Sequence, residues 1–337
     1  MNGNAKQVTA ELVGALHQIV EAGDLYVSRT LEEGEEMAAR IVALGYHTVL
    51  SGGGDGTFSQ VVTWIVDRCE AEGKPLPRFG MLKLGTGNGL AWVLGAKGGR
   101  KPKAVFTDLA RLQEEGGHGY IRLLRIDGRL APFAGIGVDG LAIYDYNRVK
   151  DTAAKMPIVG KLGAGALGWT FSMGGLTMPR VFFLPKAKVR VTNIGGEAAR
   201  LGAEGQPVGE PIPEGGVLYE GPTRSVVFST VPYWGWGSRI FPFADPQGER
   251  FSVRILNMNS QDVAFNLPSI WKGTYRSAGL HDFLADGIRV EFDRPMPAEI
   301  AGDPSDPRLS TDIRMHPRKI PVVDYYAPPP IDPHEID

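Results

Sequence analysis

One cysteine, Cys69, in 337 residues leaves nothing for a disulfide framework, and a lone thiol in a helical pattern fits a reducing, cytoplasmic setting. An excess of charge of one sign is also missing. The 36 Lys and Arg stand against 38 Asp and Glu, a formal net charge of −2 at pH 7. That balance argues against a nucleic-acid partner, and no cluster of Lys and Arg reads as a polybasic membrane patch. No uncharged apolar run is long enough to span a bilayer, and no signal peptide is expected, so any membrane contact is expected to be peripheral, at the inner face. What the chain does have is length for two domains with a core in each, and 45 glycines that gather at particular places.

The first such place is Leu50-Ser51-Gly52-Gly53-Gly54-Asp55-Gly56-Thr57-Phe58. It closes an apolar run, Thr48-Val49-Leu50, and opens a helical pattern through Phe58, Val61, Val62, Ile65 and Val66. The sequence therefore predicts a strand, a tight turn and a helix start. Backbone without Cβ atoms can approach an anion there, and the unpaired N–H groups of the next helix point at it. Asp55 departs from that scheme. A carboxylate in an anion loop repels phosphate unless a divalent cation lies between them or it takes a proton from an attacking hydroxyl; the alternative is a capping residue in an ordinary strand-to-helix turn. A second loop, Lys83-Leu84-Gly85-Thr86-Gly87-Asn88-Gly89, again follows a buried-strand pattern and leads into an apolar helix. Two such loops should lie side by side at the carboxyl edge of one sheet.

Gly53-Gly54-Asp55-Gly56-Thr57 together with Gly85-Thr86-Gly87-Asn88 resembles the paired nucleotide loops of the diacylglycerol kinase and sphingosine kinase family, whose first motif is shared with NAD kinases and phosphofructokinases. The second motif, at this distance, favours the lipid kinases. The resemblance implies transfer of the γ-phosphoryl group of Mg²⁺-ATP to a lipid hydroxyl presented at a membrane surface, diacylglycerol first, a sphingoid base or ceramide second. It implies that Gly53, Gly54, Gly56, Thr57, Gly85, Thr86, Gly87 and Asn88 hold ATP. Asp55 and Asp303 become the catalytic and Mg²⁺-binding acidic pair. Asn4, in a segment similar to the family's first phosphate loop, joins the nucleotide site, although the strand that precedes that loop in the family is absent from this sequence. Thr30 joins it too, and reads equally as a helix N-cap. Asp139 in Gly135-Ile136-Gly137-Val138-Asp139-Gly140 matches an acidic position where the family's lipid-binding part begins; its other reading is an N-cap. Arg148, with Lys150 beside it, is a candidate for neutralising phosphate, against the ordinary reading of solvated helix residues.

Three positions depart from the family pattern. Gln60 and Gly89 stand where acids are common, and Ala301-Gly302-Asp303 stands where the family has Asp-Gly-Glu. If strand alternation holds there, residues 301 and 303 share a face and Asp303 can stand in for the missing aspartate. Two rivals stay open: a soluble NAD kinase-like enzyme, and a non-catalytic nucleotide- or lipid-binding relative.

Alternation of strands and helices to about residue 95 implies a three-layer α/β domain with a parallel sheet, placed at residues 1–125. Strand patterns at Val181–Phe183, Lys188–Thr192, Ser225–Thr230, Phe251–Leu256 and Ile288–Phe292 imply a β-rich, sandwich-like domain over 126–327. The Pro-rich 328–337 is expected to be a disordered tail. Apolar but glycine-broken residues 156–179 read as core, or as an acyl-chain pocket or interfacial segment. Tyr233-Trp234-Gly235-Trp236-Gly237 is either the rim of a lipid pocket or tryptophan packed on a sheet. Oligomeric state is open, a homodimer included.

Overall fold

A computed structural model describes residues 1–5, 7–21, 23–97, 102–110, 112, 118–154 and 166–326. The expectations for 328–337 and for 156–165 lie outside the described residues. In chain order the first elements are α1 (Ala10–Leu16), α2 (Leu31–Leu44), β1 (Thr48–Gly53), α3 (Asp55–Glu72), β2 (Arg78–Lys83), α4 (Gly89–Leu94), α5 (Pro102–Ala110) and β3 (His118–Ile121). Then come β4 (Leu124–Ile126), β5 (Arg129–Ala131), β6 (Phe133–Gly137), α6 (Val138–Ala154), α7 (Ala166–Ser172), a π-helical turn Met173–Thr177 and α8 (Met178–Phe183). The chain continues through β7 (Ala187–Asn193), β8 (Ala199–Leu201), β9 (Val217–Thr223), β10 (Ser225–Ser229), β11 (Phe251–Leu256), α9 (Ser260–Trp271), β12 (Leu280–Ala285), β13 (Gly287–Ile300), β14 (Asp303–Met315) and β15 (Ile320–Val323).

Two compact units result. The first comprises Met1–Arg122, Tyr233–Gly237 and the chain from Pro317 onward; the second comprises Leu123–Pro232 and Ser238–His316. A single passage near residue 125 is therefore corrected: the chain returns to the first unit twice. In that unit the sheet order is β1-β2-β15-β3. β1 and β2 are parallel in the register Thr48↔Arg78 to Gly53↔Lys83, β15 adds in parallel through Val322↔Phe79, and β3 closes the sheet antiparallel to β15. Residues 25–29 form no strand and contribute one bridge, Asn2↔Ser28. Met1–Gly3 lies between that segment and β1, with the Asn2 amide donating to the Gly52 carbonyl at 2.8 Å.

The helices follow the sequence pattern. Thr30 Oγ1 accepts from the Glu33 amide (3.2 Å) while the Glu33 carboxylate accepts from the Arg29 amide (2.6 Å), a reciprocal cap at the start of α2; Gly45, at φ 73°, ends it. Phe58, Val62, Ile65 and Val66 on α3 are all fully buried, the period of an apolar helix face. Among the described residues no helix is long and apolar enough to cross a membrane.

The second unit is built on an antiparallel sheet in the order β5-β4-β14-β13-β6-β10-β11-β12-β8, with β7 and β9 branching from β13. β13 pairs with β7 over Ile288–Phe292 and with β6 over Ala298–Ile300, after register shifts between Glu291 and Ala298; shifts of this kind bend a strand and let it serve two neighbours. Val191, Val226, Val253, Ile288 and Val290 form its core, each fully buried. Val181–Phe183, expected as a strand, is instead α8. β-propensity lost there because a helical run already reaches it from Ala166.

Candidate functional site

Both glycine loops stand at the carboxyl ends of neighbouring parallel strands, β1 and β2, each running into a helix. They touch through backbone. A Cβ built on Gly85 would lie 2.3 Å from the Gly54 Cα, so no other residue fits at 85 while the loops keep this spacing. Asn88, left-handed at φ 53°, closes the second loop on itself: its Oδ1 accepts from the Gly85 amide (3.1 Å) and its Nδ2 donates to the Gly85 carbonyl (2.8 Å). Asn tolerates this conformation better than most residues.

Asp55 joins the two loops. Its Oδ2 accepts from the Gly89 amide at 2.7 Å and its Oδ1 from the Leu90 amide at 2.8 Å, and the side chain is buried. These are first-turn amides of α4, which otherwise lack partners, so the carboxylate caps one helix while beginning another. With each oxygen turned to an N–H, Asp55 does not present a bare carboxylate edge to a cation. Among the described residues no group of three or more His, Cys, Asp or Glu is placed to hold a metal. Each Asp55 oxygen keeps a second lone pair, so the carboxylate could still take a Mg²⁺ ion brought by nucleotide phosphates, the role that the family resemblance implies for Asp55 and Asp303.

The N-terminal segment lies alongside. Asn2 Nδ2 donates to Thr57 Oγ1 (3.1 Å), Gln7 Nε2 to the Gly85 carbonyl (3.1 Å), and Asn4 Nδ2 to the Arg29 carbonyl (2.7 Å). Asn4 and Thr30 are thus near neighbours beside the first loop. Thr86 and Gly87 stay partly exposed. The aromatic loop seats on the second glycine loop: Asn88 bridges Gly235, and the Trp236 amide donates to the Gly87 carbonyl at 2.9 Å. A Cβ on Gly89 would meet the carbonyl oxygens of Tyr233 and Trp234 at 2.7 Å. This loop braces the glycines by backbone, a role its composition does not announce.

Sequence reasoning passed over Lys83. It ends β2 immediately before the second loop, with Nζ 4.3 Å from the centroid of the Trp92 ring. Burial holds its pKa below the usual lysine range, opposed by the nearby charges of Asp108 and Asp55. Its position, one step before an anion loop, was the available signal.

In the β-rich unit, Asp139 lies in the first turn of α6 with its carboxyl turned inward on β6: a Cβ on Gly135 would be 1.9 Å from Asp139 Oδ2. Burial pushes its pKa up to about 7. Glu299 on β13, itself buried, is the register partner of Gly135, so both carboxyls stand on one face of the β6/β13 pair. Glu299 was not anticipated either; only the strand pairing brings it there. Arg148 and Lys150 are exposed on α6.

The expectation that 301 and 303 share a strand face is corrected. Ile300 pairs with Asp303, leaving Ala301 (φ 53°) and Gly302 (φ 81°) as a two-residue hairpin turn, in which strand alternation does not apply. Asp303 forms an ion pair with Arg129 (2.7 Å) and is half exposed, while the Gly302 amide donates to Glu299 (2.7 Å).

Residues 2–116 match the model of the diacylglycerol kinase catalytic domain. The chain is 41% identical over 75 residues to a protein of Escherichia fergusonii named "Probable lipid kinase YegS", spanning 21% of this chain and 23% of that one. It is 40% identical over 79 residues to the protein of that name in Shigella flexneri, spanning 22% and 25%. The chain thus spans about a quarter of the length of the curated relatives it matches. Among solved structures, a diacylglycerol kinase of Bacillus anthracis str. Sterne superposes with a TM-score of 0.56 at 12% identity, over 88% of this chain and 83% of that one. A further structure from the same organism reaches 0.61 at 14% identity, over 96% and 94%. At such identities the likeness is one of fold.

Proposed function

We propose that the protein is an ATP-dependent kinase acting on a lipid hydroxyl, with diacylglycerol ahead of a sphingoid base or ceramide. The observation that carries this reading is the backbone contact of Gly54 with Gly85 at the ends of adjacent parallel strands, because it puts two Cβ-free loops and the start of α3 at one place. Phosphoryl transfer asks a protein mainly for positioning and charge neutralisation. Gly53, Gly54, Gly56 and Thr57 take the phosphates from one side, and Gly85, Thr86 and Gly87 from the other. Asn88 and Asp55 keep the two loops in register. Lys83 supplies positive charge. Asn4 and Thr30 border the nucleotide. In the β-rich unit Asp139, whose pKa lies near neutrality, is the candidate for binding the lipid substrate; Asp303 and Arg148 have supporting roles at most.

A second reading, a non-catalytic binder of nucleotide or lipid, draws on Asp55 being engaged with two amides and on Ala301 occupying a turn. Incubating the protein with labelled ATP and, separately, diacylglycerol, sphingosine, ceramide and NAD separates these. Label in a chloroform-soluble product is expected with diacylglycerol. Label in NAD alone would make it an NAD kinase, and binding without transfer would favour the second reading.

The loop contact has its own test. Gly85→Ala is expected to cost about 1–3 kcal/mol, since backbone rather than a movable side chain opposes the new methyl. Gly87→Ala, whose Cβ would sit 3.8 Å from Gly235, serves as the control and should change stability by less than ~0.5 kcal/mol. Urea unfolding of both variants checks this, and equal costs would remove the close approach as the reason for Gly85.

A further inference from the structure

We propose that the β-rich unit docks on an anionic phospholipid bilayer through the end of its long helical run, with Phe182, Phe183 and Leu184 entering the interface and Lys186 and Arg224 meeting lipid phosphates. The run from Ala166 to Phe183 carries large apolar side chains on both sides, with Thr170 and Arg180 the exposed polar exceptions. Its inner side is buried through Trp169, Thr177 and Val181, which an ordinary amphipathic helix would match with a polar outer side. The outer side instead carries Phe171, and at its end Phe182, Phe183 and Leu184, with Phe183 84% exposed. α9 packs beside α8 and adds Phe265, 85% exposed. Single exposed apolar residues need no explanation, but aromatic residues gathered on two adjacent helices mark an interaction surface.

Charge decides what partner that surface fits. From Thr152 to Gly196 the sequence holds six Lys and Arg and no Asp or Glu. These cations are spread along the chain, so no basic cluster shows in sequence, but the fold collects others from distant strands behind the aromatic tip. Arg224 donates to the Leu184 carbonyl and Arg294 to the Pro185 carbonyl (2.6 Å), while Lys186 donates to the Asn257 carbonyl and side-chain oxygen (both 2.8 Å). These acceptors are neutral and leave the charges of Arg224 and Lys186 in place. Burial and the mutual repulsion of Lys186 and Arg224 lower the pKa of Lys186, with Asp262 pulling the other way, and Arg224 Nε is buried without a hydrogen-bond partner. An anion arriving at this place relieves the crowding. Apolar side chains at the tip with cations just behind them match the depth profile of an anionic bilayer, acyl chains inside and phosphates outside. A second copy of this chain would bring its own cations to the same place.

The inference deepens the lipid-kinase reading by naming the surface that reaches the substrate's membrane, and its test contains no nucleotide, so either can fail without the other. Flotation with phosphatidylcholine vesicles, with and without phosphatidylglycerol, measures binding of the full chain. The intact protein is expected to bind the anionic vesicles at least ~10-fold more tightly than the neutral ones. Phe182→Ser with Phe183→Ser should weaken that binding by at least ~10-fold, the lower end for withdrawing one large apolar side chain. Because both positions are exposed, the melting temperature should hold. Lys186→Gln should narrow the preference for anionic lipid, and Leu309→Ser, an exposed apolar residue on β14, should change nothing. Absence of binding to anionic vesicles, or equal binding by the double variant, overturns the proposal. So does a concentration-dependent dimer of the intact protein that the double variant abolishes, which would make the surface a contact between copies.

Discussion

Asp55→Ala is expected to lower stability by about 3–5 kcal/mol, because it strips two buried amides, those of Gly89 and Leu90, of their common acceptor. Asp55→Asn separates two roles that the sequence alone could not. A general base replaced by Asn leaves the fold intact and costs at least ~10²-fold in turnover. A clip replaced by Asn keeps one acceptor but sets an NH₂ group against the second amide, so stability falls as well, by about half the alanine cost, and the second loop loosens. Denaturant unfolding and turnover on the same samples decide. Unchanged stability with lost turnover would restore Asp55 as the base.

Asp139→Asn is expected to stabilise the protein at pH 8 while reducing turnover. With the carboxyl at about 7 in the fold and 3.8 outside it, the native state holds an extra proton between those values. Stability from the neutral carboxyl is therefore complete below pH 3.8 and is lost as pH rises through about 7; above that, ionisation of the desolvated carboxyl costs about 4 kcal/mol. Asn has nearly the same shape and no charge. In the variant the fall in urea midpoint between pH 5 and pH 8 should shrink, and the rate profile should lose its limb near neutrality. A midpoint difference that stays the same at both pH values would remove Asp139 as a tuned acid. A residue that lowers stability while it stays ionisable is what a functional carboxyl in a packed site looks like.

Much of this molecule was legible because its signals are local. A strand ending in glycines and followed by apolar residues at helical spacing can form only a few structures, and the two loops, the caps at Thr30 and Gly45 and the buried face of α3 all follow from neighbours in sequence. Asp139 at the start of α6 was legible for the same reason. What escaped depends on distant partners. Glu299 gains its place only through register with Gly135, and Asp303 is turned by a two-residue hairpin whose Ala301 has no turn propensity to betray it. Asp55 offered a cation site and a cap on equal terms, and the cap shows only in the amides of Gly89 and Leu90, more than thirty residues on. α8 misled because Val, Phe and Phe favour strands in isolation while the helix before them decides.

Protein synthesis meets a particular difficulty in β15. That strand lies inside the first sheet, between β2 and β3, and cannot leave the ribosome until the intervening second unit has been made. About 200 residues separate β3 from β15, which at about 5–20 residues per second is a wait of about 10–40 s. Throughout that wait β2 and β3 have edges with no partner between them, in a chain whose glycine loops have already been translated. A fragment ended at Arg122 would keep that gap permanently, exposing the Phe79 edge of β2 to any other strand. The nascent chain therefore depends on holding its first half unsealed, and chaperone demand during translation should fall sharply once residue 323 is free.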